Sequence, residues 1–402
     1  MKNKTLSFLL VVLLTAALLL SGCTSREAAA KTEDSSDQTQ DTPVPSADGD
    51  ENLPGDSAAE VTPEPTPEPT PEPTATPEPT PEPTPEPVVY YNPLTGEVTD
   101  KDYSNARPVA VMIENNRWDD GTMVKQSGIG KAAFVYEMEV EKITRNMAVF
   151  MDISEVGQLL PVRSARSYFV SCALAYDAIY AHCGFSADGA EYAYTMLQYY
   201  VDNDDISVRE DNGTGYRIWD WPYSGGVHSM ASTGELLANY IAANGTRTEH
   251  NVPNYDYGLH FSENAAPTDG TVANNLRIVF PEMKITNMTY HPELNGYTAF
   301  QWNSQYLDGN SDEPVVFQNV LVMCTYTRVG IDGHGHAAMS TYDCQGTGFF
   351  CNGGYCIPIT WSRGSYTEPF RYYRLDGSEL ELGVGHTYVP FISGDGYFSC
   401  SE

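Results

Sequence analysis

Val109-Ala110-Val111-Met112-Ile113 is the stretch on which the fold turns, five apolar residues in a row with no polar residue between them. A strand with one wet face alternates apolar and polar, whereas an unbroken apolar run belongs to a strand covered on both faces. Working outward, Ala133 to Met138 and Met147 to Met151 have the same texture. Ser164 to Ala175 reads as helix and Ala178 to Cys183 as strand. Asp188-Gly189-Ala190-Glu191 and Ser232-Thr233-Gly234-Glu235 carry capping-box spacing and open helices that run to Val201 and Ala243. This alternation predicts an α/β domain over residues 89–250. From Leu259 onward β-branched and aromatic runs recur: Arg277 to Phe280, Thr298 to Trp302, Val315 to Thr327, Phe349 to Trp361, Arg371 to Leu375 and Thr387 to Ile392. Turns such as Asp332-Gly333, Asn352-Gly353 and Asp376-Gly377 separate them, which predicts a mainly β domain over residues 259–395. The expected class is α+β or α/β, an α/β domain followed by a β-rich one.

Upstream the chain is of another kind. Lys2 and Lys4 precede an apolar run, Leu6 to Leu20, too short to span a bilayer comfortably. It ends in Leu20-Ser21-Gly22-Cys23, which resembles the bacterial lipobox. Residues 1–22 read as a lipoprotein signal peptide and Cys23 as the lipidated residue, against the alternative of an ordinary secretory signal with a chance cysteine. Residues 23–88 read as a disordered, acidic, Pro-rich linker. Within it Thr62 to Pro87 repeats Thr-Pro-Glu-Pro, broken once at Thr74-Ala75. Proline at every second position favours an extended polyproline conformation, a spacer of roughly 80 Å. The expected address is the outer face of the bacterial cell membrane, with the lipid as the membrane contact.

The net charge is −32, made of +2 from Lys2 and Lys4, −14 from residues 24–87 and −20 from the folded part. Such a surface repels nucleic acid, so no nucleic-acid partner is expected, and an anionic ligand has to be met by a local cluster of arginines. Seven cysteines remain beyond Cys23. Outside the membrane disulfides persist, and Cys351 with Cys356 suits a clip across one hairpin, while the pairings of Cys172, Cys183, Cys324 and Cys344 stay open.

Several stretches together resemble the YerB-like lipoprotein family, a bacterial family of unknown function. They are Asn92 to Gly96, Arg107 to Asn115, Gln126-Ser127-Gly128, Val135-Tyr136-Glu137, Ile143-Thr144-Arg145 and Pro161-Val162-Arg163-Ser164-Ala165-Arg166, followed by Asn319-Val320, Gly346-Thr347-Gly348 and Ile359-Thr360-Trp361. The match covers most of Asn92 to Ser393. The resemblance implies a lipoprotein with an α/β N-terminal domain and a separate β-rich C-terminal domain, and brings no catalytic residues with it. This chain departs from the family pattern at Glu114, where the family has Asp, and at Glu141-Lys142, where it has paired Gly.

The chemistry candidates gather around Pro161 to Arg166. Arginines at the first turn of a helix oppose its dipole unless an anion lies between them and the free backbone N–H groups. Arg163, Ser164 and Arg166, joined by Arg145, are therefore candidate ligand residues. The competing reading pairs the arginines internally with Glu137, Glu139, Glu141 or Asp152, or leaves them in solvent. Asn115 and His182 lie at strand ends, where ligands of open α/β sheets collect. Glu137 interrupts an apolar run, so it is either half of a structural Glu–Arg bridge or an acid–base group. His182 and Cys183 are adjacent on a strand and face opposite ways, so they form no dyad. Gly184 to Asp188 departs from the nucleophile elbow at Asp188, and no Walker or zinc-protease motif occurs. Asp332-Gly333-His334-Gly335-His336 reads as a flexible loop rather than a metal site, so neither metal nor cofactor is expected. Trp219-Asp220-Trp221-Pro222-Tyr223 reads either as a sugar-stacking platform or as packing between domains. Three functions stay in competition: binding of an anionic or sugar-containing envelope ligand, an enzyme acting on a phosphate-containing envelope ligand through Glu137 or Asp152 beside the same arginines, and a protein-interaction or structural module with no partner the sequence identifies.

Overall fold

The computed structural model describes residues 88–402, apart from 119–120, 142, 187–192, 201–204, 219–227, 281–283 and 330–336. Cys23, the signal segment, the linker up to residue 87, the opening of the helix at Asp188, the aromatic connector 219–223 and the loop 332–336 lie outside the described residues.

In chain order the principal elements are β1 (Val109–Asn115), β2 (Phe134–Val140), β3 (Ile143–Phe150), α1 (Ser167–Leu174), β4 (Ile179–His182), α2 (Ala193–Tyr200), β5 (Asp205–Ser207), β6 (Met230–Thr233) and α3 (Gly234–Asn244). They continue with β7 (Thr271–Val272), β8 (Asn275–Phe280), β9 (Lys284–His291), β10 (Gly296–Gln301), β11 (Asn319–Cys324), β12 (Cys344–Asn352), β13 (Tyr355–Arg363), β14 (Arg371–Arg374), β15 (Thr387–Ile392) and β16 (Tyr397–Ser401). The class is α+β with strand predominating.

An eleven-stranded sheet in the order β7-β13-β12-β11-β15-β2-β3-β1-β4-β5, with β14 beside β13, runs through the whole molecule. A six-stranded sheet built on β10-β9-β8-β16 covers part of it. All seven residues of β1 are buried, as its unbroken apolar run requires. Ala110 and Met112 join one core with Tyr168, Phe169 and Val170 of α1 and with Trp361, Phe370 and Phe391. Val109, Val111 and Ile113 join a second core with Leu237 and Ile241 of α3 and with Leu276, Ile278, Phe280 and Tyr297 of the six-stranded sheet. Thr233 caps α3 by accepting from the Leu236 N–H, an arrangement worth about 1 kcal/mol.

The connections differ from a simple β–α alternation. β2 and β3 form an antiparallel hairpin turning at Glu141 (φ 44°), and β3 pairs antiparallel with β1. Among the strands before residue 250, parallel pairing with one another is confined to β1, β4 and β5, where α1 and α2 supply the crossovers. An unbroken apolar run reports two covered faces and carries no record of which strand lies beside it. β15, near the C-terminus, inserts parallel between β11 and β2, so Val389 stands opposite Tyr136 at the centre of the sheet. Residues 83–402 accordingly make one compact unit.

Two long runs also divide. Val315 to Thr327 splits into Val316–Phe317 in the small sheet and β11 in the large one. Phe349 to Trp361 becomes the β12–β13 hairpin, turning on Gly353-Gly354 with φ of 59° and 79°, which only glycine adopts without strain. Among the described residues no helix is long and apolar enough to cross a membrane.

Candidate functional site

The segment 160–166 is threaded between three strands. Glu114 N–H donates to Pro161 O and Arg163 N–H to Met112 O, which ties it to the end of β1. Val162 N–H donates to Met230 O of β6, while Cys183 N–H reaches Arg163 O and Ala165 N–H reaches Gly184 O, beyond the end of β4. This backbone lattice puts Arg163 and Arg166 over the carboxyl ends of the parallel pair β1 and β4. Register places Arg145 of β3 opposite Glu114 of β1, on the same face as Met112 and Met147. Neither Ser164 nor Ser167 caps α1: its N-cap is Arg166, without a side-chain hydrogen bond.

Three arginines thus share one buried region. Arg163 Nη1 donates to Glu114 Oε2, and His228 Nδ1 lies 2.6 Å from the same oxygen and 2.7 Å from Arg163 Nη1. Burial by itself would raise the Glu114 carboxyl. The hydrogen bond with His228 and the charges of Arg163, His228 and Arg145 outweigh it, leaving the carboxyl below its usual range. Arg166 Nε donates to Glu141 Oε1 at 2.8 Å. Arg166 thus pairs internally with Glu141, one of the expected partners, and Arg163 with Glu114, which was not among them.

Arg145 is different. It is 2% exposed, and its one hydrogen bond in the described structure runs from Nη1 to Ser164 O at 2.7 Å. Its Nε has no partner. Burial, then the facing charges of Arg163 and Arg166, pull its guanidinium down to about 9, with Glu114 and Glu141 working the other way. Two further buried polar atoms of this region, Glu114 Oε1 and the Tyr180 hydroxyl, are likewise without partners. His182 is fully buried on the same strand as Tyr180, with Nδ1 2.9 Å from Gly184 O and Nε2 3.3 Å from Asp205 Oδ2.

Two of the sequence candidates lie elsewhere. Asn115, one residue beyond Glu114, points to the opposite face of the sheet. There Gln126 Nε2 donates to Asn115 Oδ1 at 3.1 Å, Asn146 Nδ2 to Gln126 Oε1 at 3.0 Å, and Tyr306 OH to Gln126 Oε1 at 2.7 Å, an amide network beneath the six-stranded sheet. Glu137 is on that face too. Its partner is Lys284, at 2.5 Å, with Tyr388 OH donating to the other carboxylate oxygen, so neither Arg163 nor Arg166 touches it. Burial lowers the Lys284 ammonium and Glu137 restrains that fall. Asp152, beyond the far end of β3, is held by Lys101 and Ser154. Cys351 and Cys356 stand directly opposite across the β12–β13 hairpin, both buried and both free thiols.

Sequence reading alone missed His228, Tyr180 and Lys284. Lys284 had a signal: with Thr286 and Met288 it falls on the buried positions of β9, so a charge was bound to point inward. Among the described residues no group of His, Cys, Asp and Glu is arranged to hold a metal.

Residues 94–233 match the N-terminal domain of a protein family of unknown function, DUF3048, and residues 276–389 match its C-terminal domain. A Bacillus subtilis (strain 168) protein named "Putative lipoprotein YerB" is 25% identical over 306 residues, which is 75% of this chain and 85% of that protein. The crystal structure of the Bacillus subtilis YerB protein matches with a TM-score of 0.64 and 22% identity, over 77% of this chain and 99% of that one, a likeness of fold. The chain belongs to this YerB-like family.

Proposed function

We propose that this YerB-like chain is an extracytoplasmic lipoprotein, anchored through Cys23 on the outer face of the cell membrane, whose arginine cluster binds the anionic group of an envelope ligand. The carrying observation is Arg145: a fully buried cation, pressed by two other arginines, with an unpartnered Nε. Three arginines face two carboxylates, Glu114 and Glu141, so the region holds surplus positive charge with donors to spare. A phosphate or carboxylate accepts from such donors, and guanidinium geometry suits both. The lipobox-like Leu20 to Cys23 and the Thr-Pro-Glu-Pro repeat that follows support the address.

An enzyme acting on a phosphate-containing ligand has less support. Glu137 faces the other side of the sheet and Asp152 the other end of it, so neither carboxylate stands beside a ligand held by the arginines. Glu114 is engaged by Arg163 and His228. The test is thermal shift with phosphate, pyrophosphate, wall glycans and teichoic-acid fragments, on the wild-type chain and on Arg145→Met. A rise for one anionic class that vanishes in a folded Arg145→Met protein is the expected result. No rise with any anion, or an unchanged rise in the variant, overturns the assignment. Cys23→Ser moves the chain out of the detergent phase if the anchor is as proposed.

A further inference from the structure

The six-stranded sheet has an outer face that ordinary solvation does not explain. A sheet face turned to water is normally polar, yet Ile285 is 39%, Phe300 45% and Tyr397 48% exposed. Register gathers them. Arg277 of β8 stands opposite Asn287 of β9, and Asn287 opposite Phe300 of β10. One step along, Val279 stands opposite both Ile285 and Tyr397. Beside these rows Trp302-Asn303 forms a two-residue turn with φ of 49° and 55°. A bulky residue in the left-handed region is strained, and such strain persists where it serves a purpose. The guanidinium of Arg117 is held over the Trp302 ring, 5.5 Å from its centroid, and the buried indole N–H has no acceptor.

These residues, Tyr397 apart, line an open cavity of about 460 Å³. Its described lining includes the cations Arg117 and Arg277 and no carboxylate, in a chain whose net charge is −32, while Lys284, also in the lining, is turned inward onto Glu137. We infer that this face is a second ligand site, separate from the arginine cluster, which takes an acidic saccharide: a pyranose ring packed on Phe300 and Trp302, with its anionic substituent between Arg117 and Arg277. Aromatic faces stack on the apolar face of a sugar ring, and Asn287 and Asn303 supply amides that donate to and accept from hydroxyls. The volume lies in the range of small-ligand sites. The anionic substituent, carboxylate or phosphate, is the shared chemistry that the guanidinium groups recognise.

The test is calorimetric titration of the full chain in detergent with three saccharide probes, a hexuronate trimer, a hexose phosphate and a neutral hexose trimer, and with a Thr-Pro-Glu-Pro peptide as the non-saccharide competitor. Phe300→Ala and Arg277→Gln serve as variants, since both side chains are exposed and their loss leaves the fold intact, as an unchanged melting temperature verifies. Binding of the uronate or of the hexose phosphate, at least tenfold weaker in each variant and at least tenfold stronger than the neutral trimer, is expected. Arg145→Met leaves this binding unchanged, which separates it from the arginine cluster. Absence of binding by both acidic saccharides, equal binding of the neutral trimer, or indifference to both variants overturns the proposal. Variant-sensitive binding of the peptide alone also overturns it, and assigns the face to the chain's own linker.

Discussion

Arg363 and Arg145 are equally hidden from water, each 2% exposed, and neither forms an ion pair with a carboxylate in the described structure. Their surroundings differ. Arg363, near the end of β13, gives Nε to Glu368 O at 2.7 Å. Its Nη1 serves Ser171 Oγ and Thr341 O, each at 2.9 Å, and its Nη2 serves Ser171 O and Tyr366 O. All five donors are used, and the guanidinium lies 4.9 Å from the Phe370 centroid. Arg145 makes one such bond and stands against two other arginines. Burial therefore does not distinguish a structural cation from a binding one. Satisfaction does, because a donor that the protein leaves unmet is available to a ligand.

The comparison can be broken by substitution. Arg363→Met removes five bonds and strands the carbonyls of Ser171, Thr341, Tyr366 and Glu368, tying α1 to the β13 region no longer. Each stranded buried acceptor costs about 1–3 kcal/mol, so a loss on the order of 4 kcal/mol is expected in urea unfolding. A loss under 1 kcal/mol would remove the distinction.

A smaller effect sharpens it. Arg107 and Arg247 are satisfied in a third way, around Asp177, which also binds His250. Burial would raise the Asp177 carboxyl, but its hydrogen bonds to Arg247 and His250 and the charge of Arg107 hold it well below the usual range. A carboxyl depressed in the folded state stabilises the fold above its unfolded value, near 3.9, and that contribution disappears as pH falls through the folded value. The stability difference between the wild type and Asp177→Asn should hold from pH 7 to about 5 and shrink below about pH 4. A difference that grows on acidification reverses the sign.

The smallest effect belongs to Arg145→Met. It gives up one bond to Ser164 O while relieving the repulsion from Arg163 and Arg166, so unliganded stability should stay within about 1 kcal/mol of the wild type. A drop as large as that of Arg363→Met would make Arg145 a structural group and remove the anion site with it.

Much of the fold was legible in particular residues. Val109 to Ile113 announced a strand covered twice, Thr387 to Ile392 is a strand over that same span, and Asn352-Gly353 turns where it was expected to turn. The candidate site was legible in part. Pro161 to Arg166 brought three of the relevant groups into view, and Arg145 was joined to them on its strand position. What failed was sidedness: Asn115 and Glu137 belong to the face beneath the six-stranded sheet, while Glu114 and Arg145 belong to the other. A period of two gives relative facing along one strand, but no strand states which face is which until its neighbours are in place.

The sequence by itself determined the strand texture, the double covering of the central strands and the clustering of arginines in one short segment. Those follow from side-chain chemistry and spacing within a few residues of one another. Only the tertiary structure decided that β15 lies between β11 and β2, that Lys284 answers Glu137, and that the buried Arg145 Nε is left without a partner. The reason is physical: partners in a sheet are brought together across hundreds of residues by the joint burial of many side chains, and whether a buried charge is satisfied depends on all of those partners at once.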